Sequence, residues 1–200
     1  MSNQRKYGIM NKNQTDTIFN RGKRVQQVDD YFRIEHPFLP TWNDQSEILI
    51  LGSFPSVKSR ECRYYYGHPR NRFWTVMARV FQDRCPEGIT AKQSFLLEHH
   101  VAVWDVIASC RIEASADSSI RDAVPNNIQM ILEKASIRQI YTNGQTAHKL
   151  YQRFLFPLTG RDDICLPSTS PANAAWDLER LTDAWSIITL YALPESRTGM

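Results

Sequence analysis

Around position 70 the chain reads YYYGHPRNRFW, so that Arg70 and Arg72 flank Asn71 and follow Tyr64, Tyr65, Tyr66 and His68. Aromatic rings interleaved with guanidinium groups suit stacking on a nucleobase and pairing with phosphate. An asparagine between them offers both a donor and an acceptor. Part of the stretch has other duties. Phe73 and Trp74 open an apolar helical face and belong to the core, and Asn71 can cap that helix as well as serve a ligand.

Polar groups of similar character recur further along. Residues 52–56 read GSFPS, Asp105 closes the run VAVWD, Asn143 and Gly144 follow IYT, and residues 168–173 read STSPAN. Each follows a short apolar run. In open α/β sheets, ligands bind beyond the carboxyl ends of the strands, so these exits are expected to line one crevice. Gly, Ser and Thr beside a helix start leave backbone N–H groups suited to phosphate, and they also serve as ordinary caps.

The elements that must position these residues alternate. EILILG, VAVWDVI, IRQIYTN and DICLPS read as buried strands. Helices are expected from Phe73, over AKQSFLLEHH, and over PNNIQMILEKA with Ile128, Ile131, Leu132 and Ala135 on one face and Pro125 near its start. Two more follow, one carrying Ala147, Leu150, Tyr151 and Phe154, the other Leu178, Leu181, Trp185 and Ile188. Strands separated by helices predict a layered α/β fold with a largely parallel sheet.

The chain has 200 residues, is 42% hydrophobic and carries a formal net charge of +3, which suits one domain of mildly basic character. Residues 1–28 hold six Lys or Arg against Asp16 alone. Residues 1–45 are therefore expected to form a basic, partly flexible extension, and residues 46–200 a single domain. Pro37 and Pro40 make the HPFLP stretch extended. The start lacks the apolar segment of a signal peptide, and no apolar run is long enough for a membrane span, so a cytoplasmic protein is expected, or a nuclear one in a nucleated cell. Cys62, Cys85, Cys110 and Cys165 are irregularly spaced with no paired ligands, so free thiols and no metal are expected.

The motifs LILGSFPSVKSRECRYYYGHPRNRFW, WDVIASC, DSSIRDAVPN, YTNG and LPSTSPANAAW together resemble the hypoxanthine-DNA (DNA-deoxyinosine) glycosylases, a branch of the uracil-DNA glycosylase superfamily. The resemblance spans roughly residues 47–192. It implies a three-layer α/β/α sandwich around a four-stranded parallel sheet, with no cofactor and no metal. It implies excision of deaminated bases from DNA, chiefly hypoxanthine, by base flipping and simple hydrolysis. Relatives that excise uracil usually place Asp or Asn before the motif-one proline, where this chain has Phe54, and many begin the second motif with a histidine that is absent from LPSTSPAN. The deoxyinosine branch shares these departures and relies on asparagines, which here match Asn71 and Asn143.

On that basis Asn143 is expected to contact the departing base, and Asn71 to position water or the sugar. Phe54 stacks on the flipped base or forms the pocket floor, with Ser53 and Tyr66 beside it. Asp105 accepts the N1–H of hypoxanthine or braces loops. Arg70, Arg72, Ser168, Ser170 and Asn173 are assigned to DNA, the serines serving equally as caps. The partner is DNA containing deaminated bases, met by a monomer without a membrane. Two rivals remain at this stage. One is a uracil or mismatch DNA glycosylase, and the other a non-catalytic binder of damaged or single-stranded DNA.

Overall fold

A computed structural model describes residues 33–112 and 119–192. Four strands, β2 (Ile48–Gly52), β3 (Val101–Asp105), β6 (Gln139–Asn143) and β7 (Asp163–Leu166), pair in parallel in the order β3-β2-β6-β7. Ile48, Leu49, Ile50 and Leu51 are all fully buried although successive side chains point to opposite faces. Both faces of this strand are therefore covered, the condition that parallel sheets meet by placing helices on either side.

The covering helices follow the apolar spacing. Helix α2 (Phe73–Val80) buries Phe73, Trp74, Val76 and Met77 and packs on α6 (Leu178–Trp185), which buries Leu181 and Trp185. Helix α3 (Gly88–Glu98) leads into β3, and α5 (Gln145–Phe154) packs on β6 and β7. A short helix, α1 (Val57–Cys62), begins at Ser56, whose hydroxyl accepts from Ser59 N at 3.2 Å. The three-layer α/β/α arrangement around a four-stranded parallel sheet is as the sequence led us to expect.

Three features depart from the sequence reading. The run VAVWDVI is not one strand. It breaks at Val106, whose N–H donates to Gly52 O at 2.8 Å, and Ile107 N donates to Ser53 O at 3.1 Å. The chain thus crosses the end of β2 and continues as β4 (Ile107–Arg111) in a second, antiparallel sheet with β1 (Arg33–Glu35) and β5 (Arg121–Pro125). Secondly, Pro125 ends β5 and does not open a helix. Helix α4 (Gln129–Leu132) is only one turn, although Ile128, Ile131 and Ala135 are buried as the spacing indicated.

Thirdly, the division at residue 45 falls inside the folded unit. Strand β1 pairs with β4, Thr41 bridges to Val103, and the hydroxyls of Tyr64 and Tyr65 bond to Thr41 Oγ1 and Leu39 O, each at 3.0 Å. Extended, proline-bearing chain here packs along the sheet edge and does not hang free. The basic arm expected over residues 1–28 lies outside the described residues, as do Asp117 and Ser118 at the head of the DSSIRDAVPN motif.

Candidate active site

A cavity of about 500 Å³ opens beyond the carboxyl ends of the parallel strands. All four expected exits line it: residues 52–59 after β2, Asp105 at the end of β3, Asn143 at the end of β6 and residues 168–172 after β7. Tyr66, His68 and Asn71 join them from the stretch before α2. The sheet register levels these ends, placing Gly52 beside Asp105 and Asn143 beside Leu166.

One wall is a relay of side-chain amides. Asn71 Oδ1 accepts from Phe73 N and from Thr169 Oγ1, both at 3.0 Å. Thr169 Oγ1 in turn accepts from Asn143 Nδ2 at 2.9 Å, and Thr169 N donates to Asn143 Oδ1 at 3.0 Å. A backbone N–H can only donate, so Phe73 and Thr169 identify the amide oxygens of Asn71 and Asn143. The Nδ2 of Asn71 is then directed away from both partners, has no hydrogen-bond partner among the described residues and belongs to a cavity-lining side chain. Asn71 therefore both supports the start of α2 and presents a donor. Thr169, fully buried, is the central member that sequence reading missed. Its neighbours Ser168 and Ser170 drew notice as hydroxyls near a surface loop, and nothing in the local pattern marks the alternate residue as the inward one.

The loop that carries Thr169 is fixed by Arg72. The guanidinium donates to Ser170 O at 2.6 Å, Asn173 O at 3.0 Å, Thr169 O at 3.4 Å and Trp176 O. Arg72 N also reaches Thr169 O, at 3.1 Å. The expected phosphate contact by Arg72 is thus replaced by an inward clamp, because four carbonyls of one loop converge on its planar fork. Arg70 is exposed and is not among the residues that line the cavity. Ser168 Oγ accepts from Ser170 N at 3.2 Å, Ser170 Oγ accepts from Ala172 N at 3.3 Å, and Asn173 Nδ2 donates to Ser168 O at 2.9 Å. These three brace the loop, although the serine hydroxyl protons stay available. Gly144, at φ 95°, lets the Ser168 side chain sit where a Cβ would be, 2.7 Å from Ser168 Cβ.

The opposite side is aromatic and acidic. Phe54, 6% exposed, lies edge-on to His36 at 6.1 Å, and the Arg60 guanidinium sits 5.9 Å from its ring centre. Asp105 Oδ2 is bonded to His36 Nε2 at 2.8 Å, with both side chains buried. No spacing rule could have joined these two, since His36 comes from the segment assigned to the extension. Tyr66 stacks on Phe73 with centroids 3.8 Å apart, while its buried hydroxyl has no hydrogen-bond partner among the described residues. Burial first, and then the Asp105 charge, push that phenol far above its usual range, while the nearby Asn143 amide pulls the other way. Tyr64 and Tyr65, expected to offer faces for stacking, are core residues at 4% and 2% exposure, and burial raises the Tyr64 hydroxyl to about 12.

Lys58 also lines the cavity, but its ammonium is bonded to Glu61 Oε2 at 2.7 Å and that contact raises its pKa, so it stays protonated and is no amine nucleophile at neutral pH. Among the described residues no three His, Cys, Asp or Glu side chains gather to hold a metal ion.

The uracil DNA glycosylase superfamily model matches residues 39–189. A hypoxanthine DNA glycosylase from Methanosarcina acetivorans is 31% identical over 157 residues, covering 78% of this chain and 98% of the relative. A second protein of that description, from Methanosarcina barkeri, is 29% identical over 138 residues, covering 68% of this chain and 86% of the relative. Among solved structures, a solution structure from Methanosarcina acetivorans, described as a candidate uracil DNA glycosylase, is similar with a TM-score of 0.67 and 29% identity. It covers 79% of this chain and 97% of the other.

Proposed function

This chain belongs to the uracil DNA glycosylase superfamily, and from that premise we propose that it removes hypoxanthine from DNA by hydrolysing the bond between deoxyribose and the flipped base. The C1′–N9 bond breaks with its electron pair leaving on the base. Water then supplies hydroxide to C1′, and its proton returns to the base or solvent. The products are free hypoxanthine and an abasic site. The protein acts as a monomer, in the compartment that holds the DNA.

The observation that carries the reading is the Asn71 amide, whose oxygen is taken by Phe73 N and Thr169 Oγ1 so that its N–H groups are what this cavity-lining side chain has left to offer. As the bond stretches, negative charge grows on the purine, and a donor fixed beforehand stabilises it without reorganisation. This revises the role the sequence assigned to Asn71. Its oxygen already serves two donors and has no lone pair left to take a proton from water. Asn143 keeps one N–H beyond the one held by Thr169, and it acts chiefly by orienting that threonine. Phe54 supplies the apolar wall for the extruded base. The protonated Lys58 favours hydrolysis without a Schiff base, so the strand is left intact.

Duplexes carrying a single deoxyinosine or a single deoxyuridine, incubated with the protein and then treated with alkali, test this. Cleavage at inosine is the expected result. Cleavage only at uracil would replace the substrate assignment, and cleavage at neither would leave a binding protein.

A further inference from the structure

Two polar atoms converge over the end of β2. A Cβ on Gly52 would collide with Asp105 Oδ1 and lie 3.4 Å from the Tyr66 hydroxyl, so glycine leaves both atoms room at the floor of the cavity. One is an acceptor. Asp105 Oδ2 is tied to His36 Nε2, while Oδ1 has no hydrogen-bond partner among the described residues. The other is a donor. Tyr66 keeps its ring locked against Phe73 and its hydroxyl buried without a hydrogen-bond partner among the described residues. A buried hydroxyl left unpaired destabilises the free protein, so its retention asks for a ligand atom that completes it.

An acceptor beside a donor is the complement of a lactam edge, in which a ring N–H adjoins a carbonyl. Hypoxanthine presents N1–H beside O6. Adenine presents the reverse, an N1 lone pair beside an amino group. Deamination therefore inverts both positions at once, and adenine would set donor against donor and lone pair against carboxylate.

We propose that Asp105 and Tyr66 together read this edge, Asp105 Oδ1 accepting N1–H and the Tyr66 hydroxyl donating to O6, with His36 as the positioning residue that turns the carboxylate. The assignment rests on the deoxyinosine reading above and adds to it the atoms that recognise the base. Uracil carries an equivalent N3–H beside a carbonyl, so the pair admits it at this edge, and purine size and the Phe54 wall decide between the two. His36 does not touch the base. Its role is to occupy Oδ2 so that one lone-pair face of the carboxylate is always turned to the cavity.

Tyr66→Phe tests this cleanly, because it keeps the ring on Phe73 and removes only the unpaired hydroxyl. Single-turnover excision is measured on matched duplexes containing deoxyinosine or deoxynebularine, whose purine has neither N1–H nor O6. In Tyr66→Phe the inosine-to-nebularine ratio is expected to fall about 10-fold or more, the effect of losing one buried hydrogen bond to the substrate, while the melting temperature stays level or rises. Asp105→Asn and His36→Phe should lower the same ratio, and His36→Gln, which retains an N–H for Oδ2, should hold it above His36→Phe. A folded Tyr66→Phe protein with an unchanged ratio, or with both substrates slowed alike, overturns the proposal. Should the wild type excise neither base, the functional reading fails on its own. The edge assignment is then decided by the affinity ratio of wild type and Tyr66→Phe for the two duplexes, an unchanged ratio refuting it.

Discussion

Asn71→Asp separates the two duties of Asn71 within one side chain. Asp retains an oxygen for Phe73 N and for Thr169 Oγ1, so both bonds of the relay survive. A carboxylate also sits well at the start of α2, where the helix dipole adds about 0.3–1 kcal/mol. Arg72 is the N-cap of α2, so Ala at position 71 forfeits not a cap but the bond from Phe73 N, about 0.5–1.5 kcal/mol, and leaves the buried Thr169 hydroxyl without its acceptor, a further loss of about 1–3 kcal/mol. Asn71→Asp should therefore melt within a degree or so of wild type, while Asn71→Ala melts several degrees lower, at about 2–4 °C per kcal/mol for a domain of this size. Activity should follow the opposite logic. Asp at neutral pH has no N–H, so both substitutions remove the donor and should slow single-turnover inosine excision by about 10²–10³-fold, as for loss of one preorganised donor. Thermal melting and quenched time courses on an inosine duplex measure the two effects. Uracil excision is followed alongside, because a new carboxylate here can take a proton from water as the acid of uracil-excising relatives does. Full inosine rates for Asn71→Asp and Asn71→Ser would show that Asn71 only supports the helix start, and the proposed donor would be refuted.

Asn143→Ala should lower the excision rate more than the affinity for inosine DNA, since it frees Thr169 and with it the Asn71 amide; single-turnover rates near wild type in a folded variant would refute this. Arg72→Lys should slow excision without changing the slope of log affinity against log salt, because its guanidinium grips four carbonyls, whereas Arg70→Gln should reduce that slope by about one ion. Deleting residues 1–28, six cations and one acid, should flatten the salt slope and leave the excised base unchanged, readable from salt titrations and excision ratios.

The parallel sheet was legible because its strands are buried on both faces and read as unbroken apolar runs, ILIL in β2 most plainly. The helices were legible where one face packs on the sheet, as with Phe73, Trp74, Val76 and Met77. What sequence concealed was contact across distance. VAVWDVI gave no local sign that Val106 turns over the end of β2, since the apolar pattern continues into β4. The extension looked free because its prolines exclude helix, yet an extended chain can pack along a sheet edge as well as trail into solvent. Within the site, the exits of all four strands were placed correctly by the rule that loops gather at carboxyl ends. The partners within it were not, because Arg72, an arginine in a basic aromatic stretch, carries the same local signature whether it faces phosphate or four carbonyls.

The site divides into two halves by how well its polar atoms are satisfied. In the relay of Asn71, Thr169 and Asn143, both amide oxygens and the threonine hydroxyl are already bonded, and backbone N–H groups set their direction. Such a group needs no rearrangement when charge appears, which is what rate requires. At the base edge the Tyr66 hydroxyl and Asp105 Oδ1 stand open, held by stacking and by His36 but not satisfied. Open groups reject a wrong base more strongly than they attract a right one, because a mismatched edge leaves them buried and unpaired. Relay substitutions that only remove a donor, such as Asn71→Ala, should therefore scale the rates on all substrates together, and substitutions at the edge should change their ratio. The Thr169 relay and the Gly52 floor adjoin where the Asn143 amide lies near the Tyr66 hydroxyl, so Asn143→Ala should alter both rate and ratio.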